Sequence, residues 1–239
     1  MKNKAKFYYY PLIVVGFLLI FTYGCKKSDD SSTVTPTPVP TTVTDIDGNV
    51  YQTVTVGTQV WLKQNLKVSR FRNGDTITNV TDGVTWSNIT TAACCDFGNN
   101  SSNSITYGRL YNFYAANDSR KIAPLGWHVS TDADWTKLKT YLGGDNIAGG
   151  KLKETGTLHW SSPNTAATNS SGFTAIPGGF REMDGSFDNS NMLRVGIYWT
   201  TTSFNSTSAW YLALNYDAAV VGRDKGSTNR GYSLRCVKD

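Results

Sequence analysis

Histidine and cysteine are scarce in this sequence, and their scarcity narrows the kinds of site that it can form. The chain of 239 residues has two histidines and four cysteines. A zinc site needs clustered histidine, cysteine or carboxylate ligands, but His128 and His159 are far apart in the sequence and each lies beside a tryptophan. Aromatic neighbours favour a packed, structural role for a histidine. The sequence therefore predicts no metal ion and no cofactor.

Motifs that carry enzyme chemistry are also missing. No G-x-S-x-G nucleophile elbow is present. GGDNIAGGK, residues 143–151, resembles a phosphate-binding loop, but Asp145 replaces its first glycine and Leu152 replaces the serine or threonine after the lysine. DIDGN, residues 45–49, has oxygen side chains at calcium-loop spacing, but Val56 replaces the bidentate glutamate. Both segments are interpreted as turns, and no catalytic residue is predicted.

Long runs of basic residues are absent too, although the formal net charge is +5. Lys2, Lys4 and Lys6 lie in an N-terminal segment that has no acid, so the rest of the chain has 20 basic and 18 acidic residues and a net charge of +2. The remaining basic residues are scattered among glycine, serine, threonine and asparagine. The electrostatic footprint of a nucleic-acid-binding protein is therefore missing.

Residues 1–24 have the plan of a secretory signal peptide. The three lysines precede a mainly apolar stretch over residues 7–24. A basic region, an apolar region and a small residue before the cleavage site are typical of such signals. A membrane-spanning helix is the alternative, but this stretch is at the short end of what crosses a bilayer, and Pro11 lies near its start. Export is therefore predicted.

Cys25 directly follows the apolar stretch and indicates a lipid anchor. The segment resembles a bacterial lipoprotein signal, in which the cysteine is acylated and begins the mature chain, and Gly24 fits the preceding position. Acyl chains contribute about 0.8 kcal/mol per buried methylene, so several of them hold a protein firmly to a membrane. KKSDD, residues 26–30, resembles the signal that sends Bacteroidetes-type lipoproteins to the outer face of the outer membrane. A soluble charged spacer is the alternative.

A linker follows the anchor cysteine, over residues 25–43. It contains Pro36, Pro38 and Pro40 among threonines and serines, and such a composition favours extended polyproline geometry over a packed core. The remainder, residues 44–239, has turn residues throughout and no second linker. We therefore expect one domain there.

The first half of this domain shows strand and helix patterns. Alternating apolar residues over 50–62 predict a strand pair, whereas residues 74–104 are polar and predicted to be irregular. A short helix is predicted over residues 106–118. A second helix is predicted to begin after Thr131, with Asp134 in the capping-box position. Trp135, Leu138 and Leu142 would line one face of that helix, and Gly143 and Gly144 would end it.

The second half has a long stretch beyond Gly149 that is rich in glycine, serine, asparagine and threonine. We expect an ordered loop region there, held by buried aromatic residues. Four strand-like segments follow over residues 196–239. Two short helices followed by a terminal antiparallel meander indicate the α+β class.

Seven motifs in this domain resemble a known family. In order, they are DIDGNVYQTVTVGTQVWLKQNL, YGRLYNFYA, GWHVSTDADWTKL, AGGKLKETGTLHW, SGFTAIPGGFR, YWTTTS and GYSLRCVKD. Together they resemble the Fibrobacter succinogenes major paralogous domain over nearly all of residues 44–239. That family is similar to C-type-lectin-like domains, so the resemblance implies a C-type-lectin-like fold with a long irregular loop region and an antiparallel β-sheet. Its members lie on exported or lipid-anchored bacterial proteins and share no established activity.

Three cysteines remain after the anchor: Cys94, Cys95 and Cys236. The resemblance implies a cysteine before the Pro-x-Gly-Trp-His motif that would pair with Cys236, but Ala123 occupies that position. Either Cys94 or Cys95 pairs with Cys236 instead, or all three stay unpaired. A bridge would close a loop of about 140 residues and stabilise the domain by up to roughly 5 kcal/mol on the chain-entropy model.

These observations favour a non-catalytic binding domain on an exported, lipid-anchored surface protein, with an extracellular glycan or protein as its ligand. Residues 156–196 are the segment expected to bind it. Buried packing is the favoured interpretation of Trp160 and Trp210, and a stacking platform for a sugar is the alternative for each. A cell-envelope hydrolase and a purely structural envelope component are the other two hypotheses, and the missing catalytic motifs argue against the hydrolase.

Overall fold

A computed structural model of the chain describes residues 41–239. The predicted signal peptide at residues 1–24, the lipidation at Cys25 and the linker before residue 41 lie outside the described residues. The described part begins with a strand at Thr42, inside the segment assigned to the linker. Within residues 41–239, no helix has both the length and the apolar character needed to cross a membrane.

The described residues form eleven β-strands and five α-helices. The strands are β1 (Thr42–Thr44), β2 (Val50–Val56), β3 (Gln59–Leu62), β4 (Thr78–Asn79), β5 (Ala93–Cys95), β6 (Leu110–Tyr111), β7 (Trp127–Val129), β8 (Val195–Ser203), β9 (Ser208–Asn215), β10 (Val221–Ser227) and β11 (Cys236–Lys238). The α-helices are α1 (Gly83–Asn88), α2 (Ser101–Tyr107), α3 (Phe113–Ala116), α4 (Asp132–Tyr141) and α5 (Asp145–Leu152). The fold class is mixed α and β, with mainly antiparallel sheets.

The strands form three sheets. The largest is antiparallel, in the order β1-β2-β3-β11-β7. The strands β8, β9 and β10 form the predicted antiparallel meander, and β4, β5 and β6 form a small third sheet. The prediction that the last segment continues the meander is wrong, because β11 pairs with β3 and β7 instead. Val237 of β11 lies opposite Trp61 of β3 and His128 of β7. The last strand of the domain therefore pairs with a strand near its start.

Alternate residues of the large sheet face two different hydrophobic clusters. Leu62 of β3 and Cys236 of β11 belong to one cluster, whereas their neighbours Trp61 and Val237 belong to the other. Successive side chains of a strand point to opposite faces, so this alternation is the expected period of two. The central strands β3 and β11 are therefore buried on both faces, and α4 and α5 contribute to the cluster on one of them.

The helix predicted after Thr131 is confirmed, together with its cap. The Thr131 hydroxyl accepts a hydrogen bond from the Asp134 backbone N–H at 3.1 Å, and the Asp134 carboxylate accepts one from the Thr131 N–H at 2.8 Å. This reciprocal pair satisfies two backbone donors that the first turn of a helix leaves unpaired. Trp135, Leu138 and Leu142 are buried as expected.

Several local predictions for the first half are wrong. Residues 106–118 do not form one helix: they comprise the end of α2, the strand β6 and the single turn α3. Residues 74–104 are not irregular, since they contain β4, α1, β5 and most of α2. Short elements of this kind depend on tertiary pairing, which local sequence patterns do not report. The domain thus has more helices than the two that were predicted.

Most of the segment GGDNIAGGK lies in the helix α5, which begins at Asp145, so the interpretation of the whole segment as a turn is wrong. A Cβ atom on Gly149 would lie 2.6 Å from the Ala219 carbonyl oxygen, and one on Gly150 would lie 2.5 Å from that of Ala166. Contacts this close are sterically forbidden, so only glycine permits the approach of these two backbone segments. Gly149 therefore permits packing against the loop before β10 and Gly150 permits packing against the irregular segment at Ala166, and the pair does not interrupt the helix.

The long segment between α5 and β8 is irregular, as predicted. Between residues 153 and 194, all of which the structure describes, the only regular helical element is a short 3-10 helix, Asn189–Asn191. Trp160 and Phe173 anchor it, since both side chains are almost completely buried. Phe173 packs edge-on against Trp61 at 5.5 Å between ring centroids. Buried rings thus tie this segment to the large sheet.

Candidate functional site

An open groove lies beside α3, and we call it the Tyr114 groove. Its volume is about 460 Å³, which is within the range of about 300–1,000 Å³ that is common for small-molecule sites. Hydroxyl, amide and aromatic side chains line it, among them those of Thr90, Thr91, Tyr114, Asn117, Ser203 and Thr228. The walls therefore come from four separate parts of the chain.

Asn112 positions two walls of the Tyr114 groove. Its side-chain oxygen accepts hydrogen bonds from the backbone N–H groups of Ala115 and Ala93, both at 3.0 Å. Its amide nitrogen donates to the Thr91 carbonyl oxygen at 2.8 Å. The first of these bonds caps α3, and the other two hold the chain before β5 against that cap. Since Asn112 is fully buried, this joint is shielded from water.

Tyr114 forms the aromatic part of the groove. Its phenol oxygen lies 3.1 Å from the Thr228 hydroxyl oxygen, and Thr228 is itself buried. This hydrogen bond links α3 to the chain just after β10. The hydrogen bond fixes the position of the half-buried Tyr114 ring, because the Tyr114 hydroxyl group is held by Thr228. The ring itself lines the groove.

The charged groups that line the groove are paired with each other. Arg120 contacts Asp118 at 2.8 Å and Asp75 at 3.1 Å. Its guanidinium lies 4.0 Å from the centroid of the Phe71 ring. The hydrogen bond from Arg120 lowers the pKa of Asp118 below its usual value. Asp118 is therefore a stable anion that is already neutralised by its partner.

Several neutral groups in the groove have no partner. The hydroxyls of Thr90, Thr91, Ser203 and Ser206, and the carboxamide of Asn117, donate and accept no side-chain hydrogen bond within residues 41–239. Hydroxyl groups both donate and accept, and a carboxamide has two donor hydrogens and an acceptor oxygen. The groove therefore offers a set of neutral hydrogen-bonding groups that the protein itself leaves unused.

A smaller cavity of about 250 Å³ adjoins the groove and shares Asn117 and Asp118 with it. His128 lines this cavity between two carboxylates: Nε2 lies 3.1 Å from Asp134 and Nδ1 lies 2.8 Å from Asp239. The hydrogen bond with Asp134, and then that with Asp239, raise the pKa of His128. Both ring nitrogens are occupied on opposite sides, so this cluster links β7, α4 and the residue after β11.

Asp134, one of the two carboxylates of this cluster, has a lowered pKa. Burial alone would raise its pKa, but hydrogen bonds from His128 and Thr131 outweigh burial and lower it to about 2. The two carboxylates contact different nitrogens of one ring, so they do not converge on a point where a metal ion would fit. Among residues 41–239, no group of three or more potential metal ligands is placed to hold an ion.

His159 and the calcium-like loop have structural contacts. His159 Nδ1 lies 2.7 Å from Glu154, and the His159 ring packs edge-on against Tyr107. In the loop, the Asp45 carboxylate accepts hydrogen bonds from the backbone N–H groups of Asp47 and Asn49 at 2.9 Å. The interpretation of residues 45–49 as a turn is confirmed, since these oxygens are used within the loop.

The three cysteines are buried thiols. Cys94 and Cys95 lie on β5 and Cys236 on β11, and they form no disulfide bond among the described residues. Of the two alternatives left open by the sequence, a bridge to Cys236 or three unpaired thiols, the structure has the three unpaired thiols. Burial raises the pKa of Cys94 to about 11 and that of Cys95 to about 12, so both are poor nucleophiles at neutral pH.

Of the two tryptophans considered as sugar platforms, Trp160 is unsuitable. Its side chain is 1% exposed, and its indole N–H donates to the Ala175 carbonyl oxygen at 2.9 Å. Trp210 on β9 is partly exposed, but the Arg223 guanidinium covers it at 3.4 Å from the ring centroid. Phe204 also packs against its edge. Trp160 is therefore a core residue, and one face of Trp210 is already covered.

Sequence reasoning missed two buried arginines without carboxylate partners. Arg235 donates from Nη1 to the Leu62 carbonyl at 2.7 Å and from Nε to Asn65 at 2.8 Å. Arg181 donates from Nε to the Gly185 carbonyl at 2.9 Å. Both guanidinium groups lie against aromatic rings, at 4.5 Å from Phe173 and Trp86 respectively. These cations tie irregular chain segments together, which indicates a structural role.

Lys153 is a third buried cation of this kind. Its ammonium group donates to three carbonyl oxygens, those of Thr165, Asn215 and Ala218, at 2.8 to 3.0 Å. Burial lowers the pKa of Lys153 to about 8. We call Arg181, Arg235 and Lys153 the buried cations, and none of them forms an ion pair with a carboxylate among the described residues. Three donors matched by three acceptors leave no capacity for a ligand.

The Tyr114 groove takes none of its lining from residues 156–196, the segment expected to bind a ligand. Its residues are spread between positions 90 and 228, and no local pattern connects them. The one signal in the sequence was the clustering of neutral polar residues around an aromatic one, as in Thr90-Thr91 and Tyr114-Ala-Ala-Asn117.

Comparison with known protein families identifies a match. The model of the Fibrobacter succinogenes major domain matches residues 54–238. No curated protein matches the chain, and no solved structure does. The matched region covers well over half of the chain and contains every strand from β3 to β11. The chain therefore belongs to the Fibrobacter succinogenes major domain family.

Proposed function

We propose that this protein is exported, acylated at Cys25 and displayed on the outer membrane towards the cell exterior. Its domain at residues 44–239 would act there as a non-catalytic binding module for an extracellular glycan or protein. The single observation that carries the binding role is the Tyr114 groove, an open cleft in which the side chains of Thr90, Thr91, Asn117, Ser203 and Ser206 have no hydrogen-bond partner within residues 41–239. Polar groups that are satisfied within the fold serve stability, whereas unsatisfied groups in a concave site are available for recognition.

We also propose a C-type-lectin-like arrangement for the domain. Two features support it. The last strand, β11, returns to pair beside β3 near the start of the domain, and a long irregular segment precedes the meander of β8 to β10. The resemblance of the sequence motifs to that group supports the same interpretation.

The anchor is tested by mass spectrometry of the native protein purified from membranes. We expect a mature chain that begins at Cys25 and carries acyl chains, and a Cys25→Ala variant that retains its leader and takes up no labelled palmitate. An unmodified Cys25, or a leader still attached in the wild type, would refute the anchor. Protease treatment of intact cells tests outward display, because an outward-facing domain is cleaved without breaking the cells.

The binding role is tested with the full chain, solubilised in detergent, on a glycan array and in a pull-down from extracellular material. Reproducible, saturable binding in either assay is the expected result. If neither assay detects binding and the protein instead degrades an envelope polysaccharide, the alternative of a cell-envelope hydrolase is favoured. Absence of binding and of turnover would leave a structural envelope component as the better hypothesis.

A further inference from the structure

We infer that the Tyr114 groove binds an uncharged saccharide. This inference rests on the proposed binding function and narrows it to one ligand class and one site. It combines three properties of the groove: the neutral groups without partners, the paired state of its charges, and the position of an aromatic ring among them.

The free groups match the chemistry of sugars. Thr90 and Thr91 lie on one wall, Asn117 lies at the end of α3, and Ser203 and Ser206 lie where β8 ends. Sugar hydroxyls both donate and accept hydrogen bonds, and so do these hydroxyl and amide groups. Each free group can therefore pair with a sugar hydroxyl whatever the direction of the bond, which suits a ligand that is covered with hydroxyls.

The Tyr114 ring provides the apolar contact that sugars also need. A pyranose has a face of C–H bonds, and aromatic side chains at binding sites offer a large apolar body with a polar end. Here the polar end is already used, since the Tyr114 hydroxyl pairs with Thr228 at 3.1 Å. The phenol is thereby held in place before a ligand arrives, which lowers the entropic cost of binding.

The charges of the groove argue against an ionic ligand. The groups concerned, Asp118 and Arg120, pair at 2.8 Å, and Arg120 also contacts Asp75. A phosphate, a carboxylate sugar or an amine would have to displace one of these contacts to gain a counter-charge. An uncharged ligand binds without disturbing them, so the groove favours neutral sugars over acidic ones.

A protein ligand fits the groove less well. Protein interfaces bury about 800 Å² on each partner, and their binding energy is concentrated in apolar and aromatic anchors at the centre. None of the exposed large hydrophobic side chains among residues 41–239, such as Leu125, Leu158 and Phe204, lines the Tyr114 groove. A small polar ligand is therefore the better match for this site.

The test uses the detergent-solubilised full chain and isothermal titration calorimetry. The probes are uncharged oligosaccharides of glucose, mannose, galactose or xylose, with heparin and polygalacturonate as anionic counterparts. We expect saturable binding of at least one uncharged probe and no tighter binding of the anionic ones. Affinity should also be the same at low and high salt, because screening weakens only interactions between charges.

Two groove variants locate the site. Asn117→Ala removes an exposed carboxamide without any partner, and Tyr114→Ala removes the ring; each should weaken binding of the active probe at least ten-fold. Tyr141→Ala is the control for the loss of a tyrosine ring, because Tyr141 is exposed and lies on α4, outside the groove lining. Thermal unfolding by circular dichroism checks that Tyr114→Ala, which loses its bond to Thr228, remains folded. Asn117→Ala breaks no side-chain hydrogen bond within residues 41–239, so it decides the question if Tyr114→Ala is unstable.

The outcomes separate this inference from the proposed function. Binding of an uncharged probe that neither variant weakens would overturn the site but leave the binding role intact. Preference for heparin or polygalacturonate, or a steep salt dependence, would overturn the ligand class. If every uncharged probe fails while a pull-down yields a specific protein partner, the saccharide inference is wrong and the binding role survives. Failure on the glycan array, in calorimetry and in the pull-down would refute both.

Discussion

The buried cations and the Tyr114 groove use polar side chains in opposite ways. Lys153 donates hydrogen bonds to three backbone carbonyl oxygens inside the domain. Arg235 likewise donates to the Asn65 side chain and to backbone oxygens. In the groove, Asn117 and Thr90 have no hydrogen-bond partner for their side chains within residues 41–239. Hydrogen-bonding side-chain groups are thus paired within the fold in one region and unpaired in the other.

This difference shows where a long irregular chain obtains its stability and where it is free to bind. Residues 153–194 have almost no regular backbone ladder, so their buried carbonyls need donors from elsewhere, and unpaired buried carbonyls are costly. Long cationic side chains supply those donors. The groove faces water, which satisfies its polar groups until a ligand replaces it. Substitutions in the two regions should therefore have opposite effects on stability and on binding.

The largest effect is expected for Arg235→Met. Burial lowers the pKa of this guanidinium only to about 10, so it is charged at neutral pH and donates to the Leu62, Phe173 and Thr174 carbonyls. Methionine fills part of the space but leaves these acceptors buried without donors. We expect a loss of about 3–5 kcal/mol in the free energy of unfolding, measured with urea.

The matched control for Arg235→Met is Arg194→Met, at an exposed arginine. Its change should stay within about 0.5 kcal/mol, as is usual for surface substitutions. Equal effects of the two substitutions would break the comparison, since burial and carbonyl contacts would then carry no special weight.

Lys153→Met should cost somewhat less, about 2–3 kcal/mol at pH 7, because three carbonyls lose one donor group. A second signature distinguishes it. The pKa of Lys153 is about 8 in the folded chain and close to 10.5 in the unfolded chain, so the unfolded chain binds more protons between these values. Wild-type stability should therefore rise, relative to the variant, as pH increases from about 8 to about 10.5. A flat difference across that range would contradict the buried position of the ammonium group.

His128→Gln tests the cluster beside the groove at a smaller scale. The carboxylates of Asp134 and Asp239 raise the pKa of His128, so its stabilising effect is fully present below the unfolded pKa of about 6.5. It is lost as pH rises through the raised folded value. The side chain is 37% exposed, so solvent screening limits the effect to about 1 kcal/mol or less. Thermal unfolding should show a larger deficit of the variant at pH 5.5 than at pH 8.5, and a reversed order would refute the cluster.

Local features of the fold were predictable because their causes lie within a few residues. The cap formed by Thr131 and Asp134 is one example, and the hairpin of β2 and β3 around Gly57 is another. The helix α5 was missed because its glycines weaken a helix in isolation, and only the approach of Ala219 to Gly149 shows why they are there. That approach joins residues 70 positions apart, so no window along the sequence contains it.

The candidate site was less predictable for the same reason. The motif strings identified the family, but the Tyr114 groove draws on residues between positions 90 and 228, and its free groups are ordinary threonines, serines and asparagines. Their lack of partners is a property of the folded chain alone. By contrast, the burial favoured for Trp160 is confirmed: its indole N–H donates to the Ala175 carbonyl oxygen, and the Lys153 ammonium group lies 5.5 Å from its ring centroid.

The smallest effects on stability are expected in the groove itself. Thr90→Ala, Asn117→Ala and Ser206→Ala remove side-chain groups that hold nothing within residues 41–239, so each should change the free energy of unfolding by less than about 0.5 kcal/mol. Urea denaturation of the three variants, beside Arg235→Met, measures this directly. A loss above about 1 kcal/mol in the free energy of unfolding of any variant would mean that the removed group stabilises the fold and is not free for a ligand. Unchanged stability together with weakened saccharide binding would instead separate the two regions by function, because the groove residues would then act on the ligand and not on the fold.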